Sequence, residues 1–225
     1  MIKIDVLTLF PGMFEGFLTE SIINRAITNE KVEINLIDYR KYTKLKNGQV
    51  DDTAFGGGAG MVIMVDPIVS ALKEIKTSES HVILMDPKGY LYKENTAKRL
   101  LNYNHLIIIC GHYEGIDERI KHYVDEVISI GDFVLTGGEV PAMAIIDSIV
   151  RLIPGVITDE SLLNESFNEN LLDYPVYTKP RVYDGYEVPE VLLSGNHQKI
   201  KEFNHSEAVR ITQEVRPDLM EQHHE

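Results

Sequence analysis

Apolar residues fall in short runs along the first two thirds of the chain, and between those runs they recur at helical spacing. Ile2 to Leu9 reads as a strand, after which Phe14, Phe17, Leu18, Ile22 and Ala26 share one helical face. Val32 to Ile37 predicts a second strand. Residues 40 to 62 are polar and glycine-rich and predict a long loop. Pro67 opens a helix through Lys73, because the missing proline N–H costs nothing in a first helical turn. Val82 to Met85 predicts a strand, and Lys93 to Leu101 a helix. Leu106 to Ile109 and Val127 to Ile130 are two further strands, and Pro141 stands near the first turn of an apolar helix reaching Val150. This alternation implies a parallel sheet covered by helices.

Beyond residue 150 the pattern changes. Pro154-Gly155 ends the helical region. Residues 158–170 are polar with few apolar anchors and read as a flexible linker that orders with substrate. Pro175, Pro180 and Pro189 then break up an irregular stretch, and two short helical patterns follow at 197–203 and 206–215. The organisation expected is an α/β domain over 1–157, the linker over 158–170, and a small, mostly helical domain over 171–225. No internal repeat or low-complexity tract interrupts it.

Composition narrows the function classes. With 225 residues and 44% hydrophobic content the chain can bury a sizeable core. No run approaches the roughly 18 apolar residues of a membrane span. The start, Met1-Ile2-Lys3-Ile4-Asp5, places an acid where a signal peptide needs apolar residues. The single cysteine, Cys110, ends an apolar strand and reads as a small core residue. These features fit a cytoplasmic protein with no membrane partner. The net charge of −13 argues against nonspecific nucleic-acid binding, which needs Lys and Arg for phosphates. A specific RNA enzyme remains compatible, since it can place a few cations locally. Arg40, Lys41, Lys44 and Lys46 form the clearest basic cluster.

The most informative stretches follow the fourth and fifth strands. Cys110-Gly111-His112-Tyr113-Glu114-Gly115-Ile116-Asp117-Glu118-Arg119 comes after one, and Ser129-Ile130-Gly131-Asp132-Phe133-Val134-Leu135-Thr136-Gly137-Gly138-Glu139 ends the other. Glycine after a buried strand lets backbone groups approach a ligand closely. Two such turns suggest one ligand held by main chain at the carboxyl ends of parallel strands. Gly56-Gly57-Gly58-Ala59-Gly60-Met61 lacks the Gly-Lys-Ser/Thr ending of a nucleotide-hydrolysing loop. The eight histidines are scattered and form no metal-binding spacing.

These two segments resemble the cofactor loops of the bacterial tRNA (guanine-N1)-methyltransferase family, part of the trefoil-knotted (SPOUT) superfamily. Further matches appear in the family's order. They are Leu9-Phe10-Pro11-Gly12-Met13-Phe14, Val50 through Met61, Arg151-Leu152-Ile153-Pro154-Gly155-Val156, Tyr174-Pro175-Val176-Tyr177-Thr178-Lys179-Pro180 and Val191-Leu192-Leu193-Ser194-Gly195-Asn196-His197. The likeness covers residue 1 to about 220. It implies methylation of the guanosine at tRNA position 37, beside the anticodon, with S-adenosylmethionine as donor. It also implies a deep knot within residues 82 to 150, a homodimer whose active site combines two subunits, and assistance from magnesium, for which no residue here is assigned.

The resemblance assigns roles residue by residue. The donor would be held by Leu84, Met85, Asp86, Pro87 and Gly89, then by Gly111, Tyr113, Glu114 and Gly115. A third loop would contribute Ile130, Gly131, Asp132, Phe133, Val134, Leu135, Gly137 and Gly138, with Pro141. Where well-known members have Tyr-Leu-Ser-Pro-Gln-Gly, this chain has Leu84-Met85-Asp86-Pro87-Lys88-Gly89, so Asp86 is expected to pair with the donor's positive groups. The general base of the family is an aspartate before Ser-Phe; here Asn164-Glu165-Ser166-Phe167 puts Glu165 in that place, with Glu169 and Asp173 as fallbacks. Arg151 matches the arginine that stabilises developing charge. That chemistry is what the reaction needs: a base to take the N1 proton and a cation near O6. Three other readings stay open: methylation of an RNA ribose hydroxyl, a noncatalytic tRNA-binding protein, and a nicotinamide-dependent oxidoreductase. The last would want Gly-x-Gly-x-x-Gly after the first strand, where Phe10-Pro11-Gly12-Met13-Phe14 stands instead.

Overall fold

The computed structural model describes residues 1–158, 165–167 and 170–221. The chain divides into two compact units, Met1–Ile157 and Thr158–Glu225. Along the first unit run β1 (Ile2–Thr8), α1 (Glu15–Thr19), α2 (Ser21–Thr28), β2 (Val32–Asp38), β3 (Asp51–Asp52), β4 (Val62–Ile63), α3 (Val65–Ile75), β5 (Ser80–Leu91), α4 (Glu94–Leu100), β6 (His105–Cys110), β7 (Glu126–Ser129) and α5 (Glu139–Val150). Five of the strands form one sheet in the order β2-β1-β6-β5-β7, and all four pairings are parallel.

The apolar runs are buried on both faces, which is why β6 reads as an unbroken hydrophobic stretch. Leu106, Ile108 and Cys110 pack with Ile4, Val6 and Ile83 against α2, α4 and α5. Ile107 and Ile109, on the other face, pack with Leu7, Val82 and Leu84 against Ile68, Val69, Ala71 and Leu72 of α3. One polar line crosses the sheet. Asn35 Nδ2 donates to Asp5 Oδ1 at 2.9 Å, Asp5 Oδ2 lies 2.9 Å from His105 Nε2, and His105 Nδ1 lies 2.7 Å from Ser80 Oγ. Buried polar groups are thus matched strand to strand.

Several elements depart from the expected pattern. The helical face over 14–26 is two helices, separated where Ser21 takes a φ of +54°. α3 starts two residues before Pro67. The loop over 40–62 contains short 3₁₀ turns and the β3–β4 hairpin. β5 runs on past Met85 to Leu91. Met85 and Tyr90 both pair with Ile128, so the residues between them bulge out at the carboxyl edge.

In the second unit β8 (Val182–Tyr183) and β9 (Tyr186–Glu187) form an exposed hairpin, followed by α6 (Glu190–Leu193) and α7 (His197–Val215). The two helical patterns expected at 197–203 and 206–215 are one helix of 19 residues. Asn204 and His205 between them are neither Gly nor Pro, so nothing breaks the hydrogen-bond ladder. Asn196 caps it, Oδ1 accepting from the Lys199 N–H.

Glycine is required where β5 leaves the bulge. A Cβ on Gly89 would stand 2.5 Å from Ile128 N and 2.6 Å from the Val127 carbonyl, both main chain of β7. Gly89→Ala is therefore expected to lower unfolding free energy by about 1–3 kcal/mol, the cost of overpacking. Gly12→Ala, with nothing within 4 Å of the new methyl, should stay within about 0.5 kcal/mol of wild type in the same urea titration.

The amino edge of β7 supplies a pH test. Glu126 Oε1 lies 2.6 Å from His81 Nε2, and Arg99 Nη2 donates to Glu126 Oε2 at 2.6 Å. Burial pushes this carboxyl up, but hydrogen bonds from His81 and Arg99 more than offset it, and the net shift is downward. A depressed folded pKa means stabilisation that is complete above the ordinary glutamate range and lost as pH falls through the depressed value. Glu126→Gln should thus be less stable than wild type at neutral pH, with the gap closing in acid. A gap that stays constant through the acid range contradicts this.

Candidate functional site

The carboxyl ends of β5, β6 and β7 and the start of α5 enclose a cleft of about 320 Å³. Sixteen of the residues singled out from the sequence line it. They are Leu84, Met85, Asp86 and Pro87 from the first loop and Gly111, Tyr113, Glu114 and Gly115 from the second. The third loop gives Ile130, Gly131, Phe133, Val134, Leu135, Gly137 and Gly138, and α5 gives Pro141. Gly89 and Asp132 do not line it: Gly89 lies against β7, and Asp132 is exposed. Lys88, His112, Ile116, Ile128, Ser129 and Thr136 also line the cleft and were not singled out. Their signal was position alone, since each falls within or beside one of the three loops.

The loops are held by main chain. The Gly138 N–H donates to the Gly111 carbonyl at 2.8 Å, and His112 bridges Gly137. On the other side the Ile63 N–H donates to the Gly115 carbonyl and the Asp117 N–H to the Ile63 carbonyl, both at 2.9 Å. The 111–117 loop is therefore clamped between the third loop and β4. Tyr113 takes a φ of +57°, a conformation costly for a bulky residue that the clamp on both sides enforces.

The glycines divide by purpose. A Cβ on Gly138 would stand 2.7 Å from Cys110 Cα, so this glycine serves chain-to-chain packing. A Cβ on Gly111 would meet the Ile116 side chain at 3.4 Å and the Met85 carbonyl at 4.0 Å, both ordinary contacts, so a larger residue there is expected to enter the cleft without breaking the fold.

Charge and apolar surface are arranged unevenly. Val134 is 85% exposed, with Phe133 and Leu135 beside it, leaving an apolar wall open to solvent. Asp86 is turned onto its own loop: Oδ1 accepts from the Lys88 N–H at 2.8 Å and Oδ2 lies 3.7 Å from Lys88 Nζ. Asp86 thus meets Lys88 while also lining the cleft. Glu114 packs against the glycine segment, where a Cβ on Gly60 would fall 2.4 Å from its Cγ. Behind the loops, burial and the nearby Glu139 carboxylate push the Cys110 thiol well up. Burial, followed by Cys110 and Glu139, likewise raises the Tyr39 hydroxyl, which donates to the Cys110 carbonyl at 3.3 Å. Cys110 is thus a buried, neutral thiol.

Arg151 caps the carboxyl end of α5, its N–H donating to the Asp147 carbonyl at 3.1 Å, and is half-buried. Glu165 belongs to the second unit and is half-buried. Around it, the Asp173 N–H donates to Ser166 Oγ at 3.0 Å and the Phe167 N–H to the Leu171 carbonyl at 2.6 Å. The Leu172 N–H donates to Thr212 Oγ1 on α7 at 2.8 Å. Asp173 is exposed. Glu169, Asn164, the remainder of 159–164 and the His223-His224 pair lie outside the described residues.

Residues 2–222 match a protein-family model described as tRNA (Guanine-1)-methyltransferase TrmD. The chain is 52% identical to a tRNA (guanine-N(1)-)-methyltransferase of Ureaplasma urealyticum serovar 10 (strain ATCC 33699 / Western), across 98% of this chain and 97% of that protein. A protein of the same description from Endomicrobium trichonymphae is 51% identical, with 97% and 99% covered. One from Dictyoglomus turgidum (strain DSM 6724 / Z-1310) is 48% identical, with 98% and 91% covered.

Proposed function

The chain belongs to the tRNA (Guanine-1)-methyltransferase TrmD family, and we propose that it methylates N1 of the guanosine at position 37 of tRNA, using S-adenosylmethionine. The observation that carries this reading is the three-loop cleft at the carboxyl edge of a parallel sheet, in a chain that matches the family along nearly its whole length. The residues present fit the donor. The cleft volume of about 320 Å³ suits a nucleoside-sized ligand, the Phe133–Leu135 wall suits an adenine face, and the Glu114 carboxylate suits a cationic end. When bound, S-adenosylmethionine supplies a methyl group already activated by its sulfonium. The loops then have to orient and exclude water.

The chemistry left to the protein is that of the guanine. N1 carries a proton and attacks poorly until it leaves, and its loss pushes negative charge towards O6. We assign the base to Glu165, whose carboxylate takes the N1 proton, and charge stabilisation at O6 to Arg151. A side chain cannot reach the target atom of a stacked base, so the base is expected to act on a guanosine drawn out of its stack.

We further assign residues 1–157 to donor binding, 158–170 to a linker and 171–225 to tRNA. The trefoil knot of the superfamily is assigned to residues 82–150. Support comes from the family match over residues 2–222, which includes that stretch. The working form is taken to be a homodimer in the cytoplasm, as the family resemblance implies. Magnesium is implied by the family resemblance alone, and no residue is assigned to it. Among the described residues no group of three or more His, Cys, Asp or Glu is arranged to hold a metal ion.

Two measurements check these assignments. Gly111→Val should melt near wild type yet weaken S-adenosylmethionine binding at least about tenfold by calorimetry, since its side chain enters the cleft. Unchanged affinity removes the donor from this cleft. Glu165→Gln should slow single-turnover methyl transfer to a tRNA transcript by about 10²–10⁴, the usual worth of a positioned base. Donor affinity should hold, and Glu165→Asp should keep much of the rate. A wild-type rate in Glu165→Gln, with loss in Glu169→Gln or Asp173→Asn, moves the base further along the chain.

A further inference from the structure

Two carboxylates of the first unit are almost fully buried, and they are treated differently. Asp5 has partners on both oxygens, Asn35 on one and His105 and Lys3 on the other. Glu139, 1% exposed, has a partner on one only. Thr8 Oγ1 donates to its Oε1 at 2.7 Å, while Oε2 has no hydrogen-bond partner among the described residues. A buried carboxylate oxygen without a donor is destabilising, so its persistence calls for a use.

A ring nitrogen without a partner stands close by. The point where a Cβ would stand on Gly137 lies 2.4 Å from Glu139 Oε2 and 3.0 Å from His112 Nε2. Both side chains thus border the gap that Gly137 leaves. The His112 ring lies 4.7 Å from Phe10 and 5.4 Å from Tyr113, borders the cleft, and makes no hydrogen bond among the described residues.

We propose that Glu139 is a positioning residue for the methyl donor: when the cleft fills, His112 Nε2 gives a hydrogen bond to Glu139 Oε2 across the gap at Gly137. The bond adds a side-chain tie to the main-chain contacts that already join the 111–115 and 130–138 loops. This rests on the donor assignment made above. Filling the cleft removes water from the histidine, and a hydrogen bond to the carboxylate replaces the one its ring N–H loses to solvent. The other titratable groups facing the pair are Cys110 on β6, Tyr39 after β2, and Tyr113 and Glu114 on the same loop as His112. Cys110 and Tyr39 are both pushed up. The Glu114 side chain packs against Gly60.

The test is calorimetric titration of the full-length protein with S-adenosylmethionine, read beside the His112 ring ¹⁵N signals. Glu139→Gln should bind about tenfold more weakly, the size of one charge-assisted hydrogen bond. The His112 Nε2 signal of wild type should move on donor addition, and move less in Glu139→Gln. Wild-type affinity in Glu139→Gln, or an Nε2 signal that moves equally in both proteins, overturns the pairing. Should Glu139→Gln not fold, the wild-type signals decide: they shift on donor addition if the bond forms, and unchanged signals refute it. Absence of any donor binding by wild type would instead overturn the donor assignment, and this inference with it.

Discussion

Three loops at the carboxyl edge of the sheet lie against each other with no room for side chains between their backbones. Gly89 sits on the main chain of β7, and Gly138 on the junction of Cys110 and Gly111. Most of the rest follows from those two contacts. The bulge after Met85 can return to pair with Ile128 because Gly89 lets it pass, and the start of α5 can hydrogen-bond the Gly111 carbonyl because Gly138 lets it approach. The cleft is the space left between loops fixed in this way. Its shape is set by the fold before any ligand enters, which is the condition for orienting a reactive group at low entropic cost.

Strand positions were legible because the strands are buried on both faces, so Leu106–Ile109 and Val82–Met85 announce themselves without any need for alternation. Helix continuity was less legible. Seen from its apolar positions, α7 breaks between Phe203 and Ser206, yet its backbone has no reason to stop there. The split of the first helical face at Ser21 was invisible, because a positive φ at serine leaves no mark in a pattern of apolar spacing.

The site was legible as a set of glycine-bearing turns, but the reason for each glycine was not. Gly89 and Gly138 are demanded by the chain's own backbone, Gly138 lining the cleft as well, and Gly111 alone of the three would carry a Cβ without a close main-chain contact. The contact of Asp86 with Lys88 was not legible either, since it depends on how their loop bulges. Glu139 and His112 carry no motif that marks them as a pair; only the three-dimensional proximity around Gly137 does. Sequence spacing finds residues that share a loop, whereas such contacts join residues from different strands.

Methyl transfer itself is the central claim, and the product identifies both the substrate atom and the reaction class. Full-length protein is incubated with tritiated S-adenosylmethionine and a tRNA transcript carrying guanosine at position 37, and the modified nucleoside is isolated and mapped. The account predicts 1-methylguanosine at that position, with transfer lost when the transcript carries adenosine there. A ribose-methylated nucleoside, label at another position, or no transfer to any transcript would contradict it.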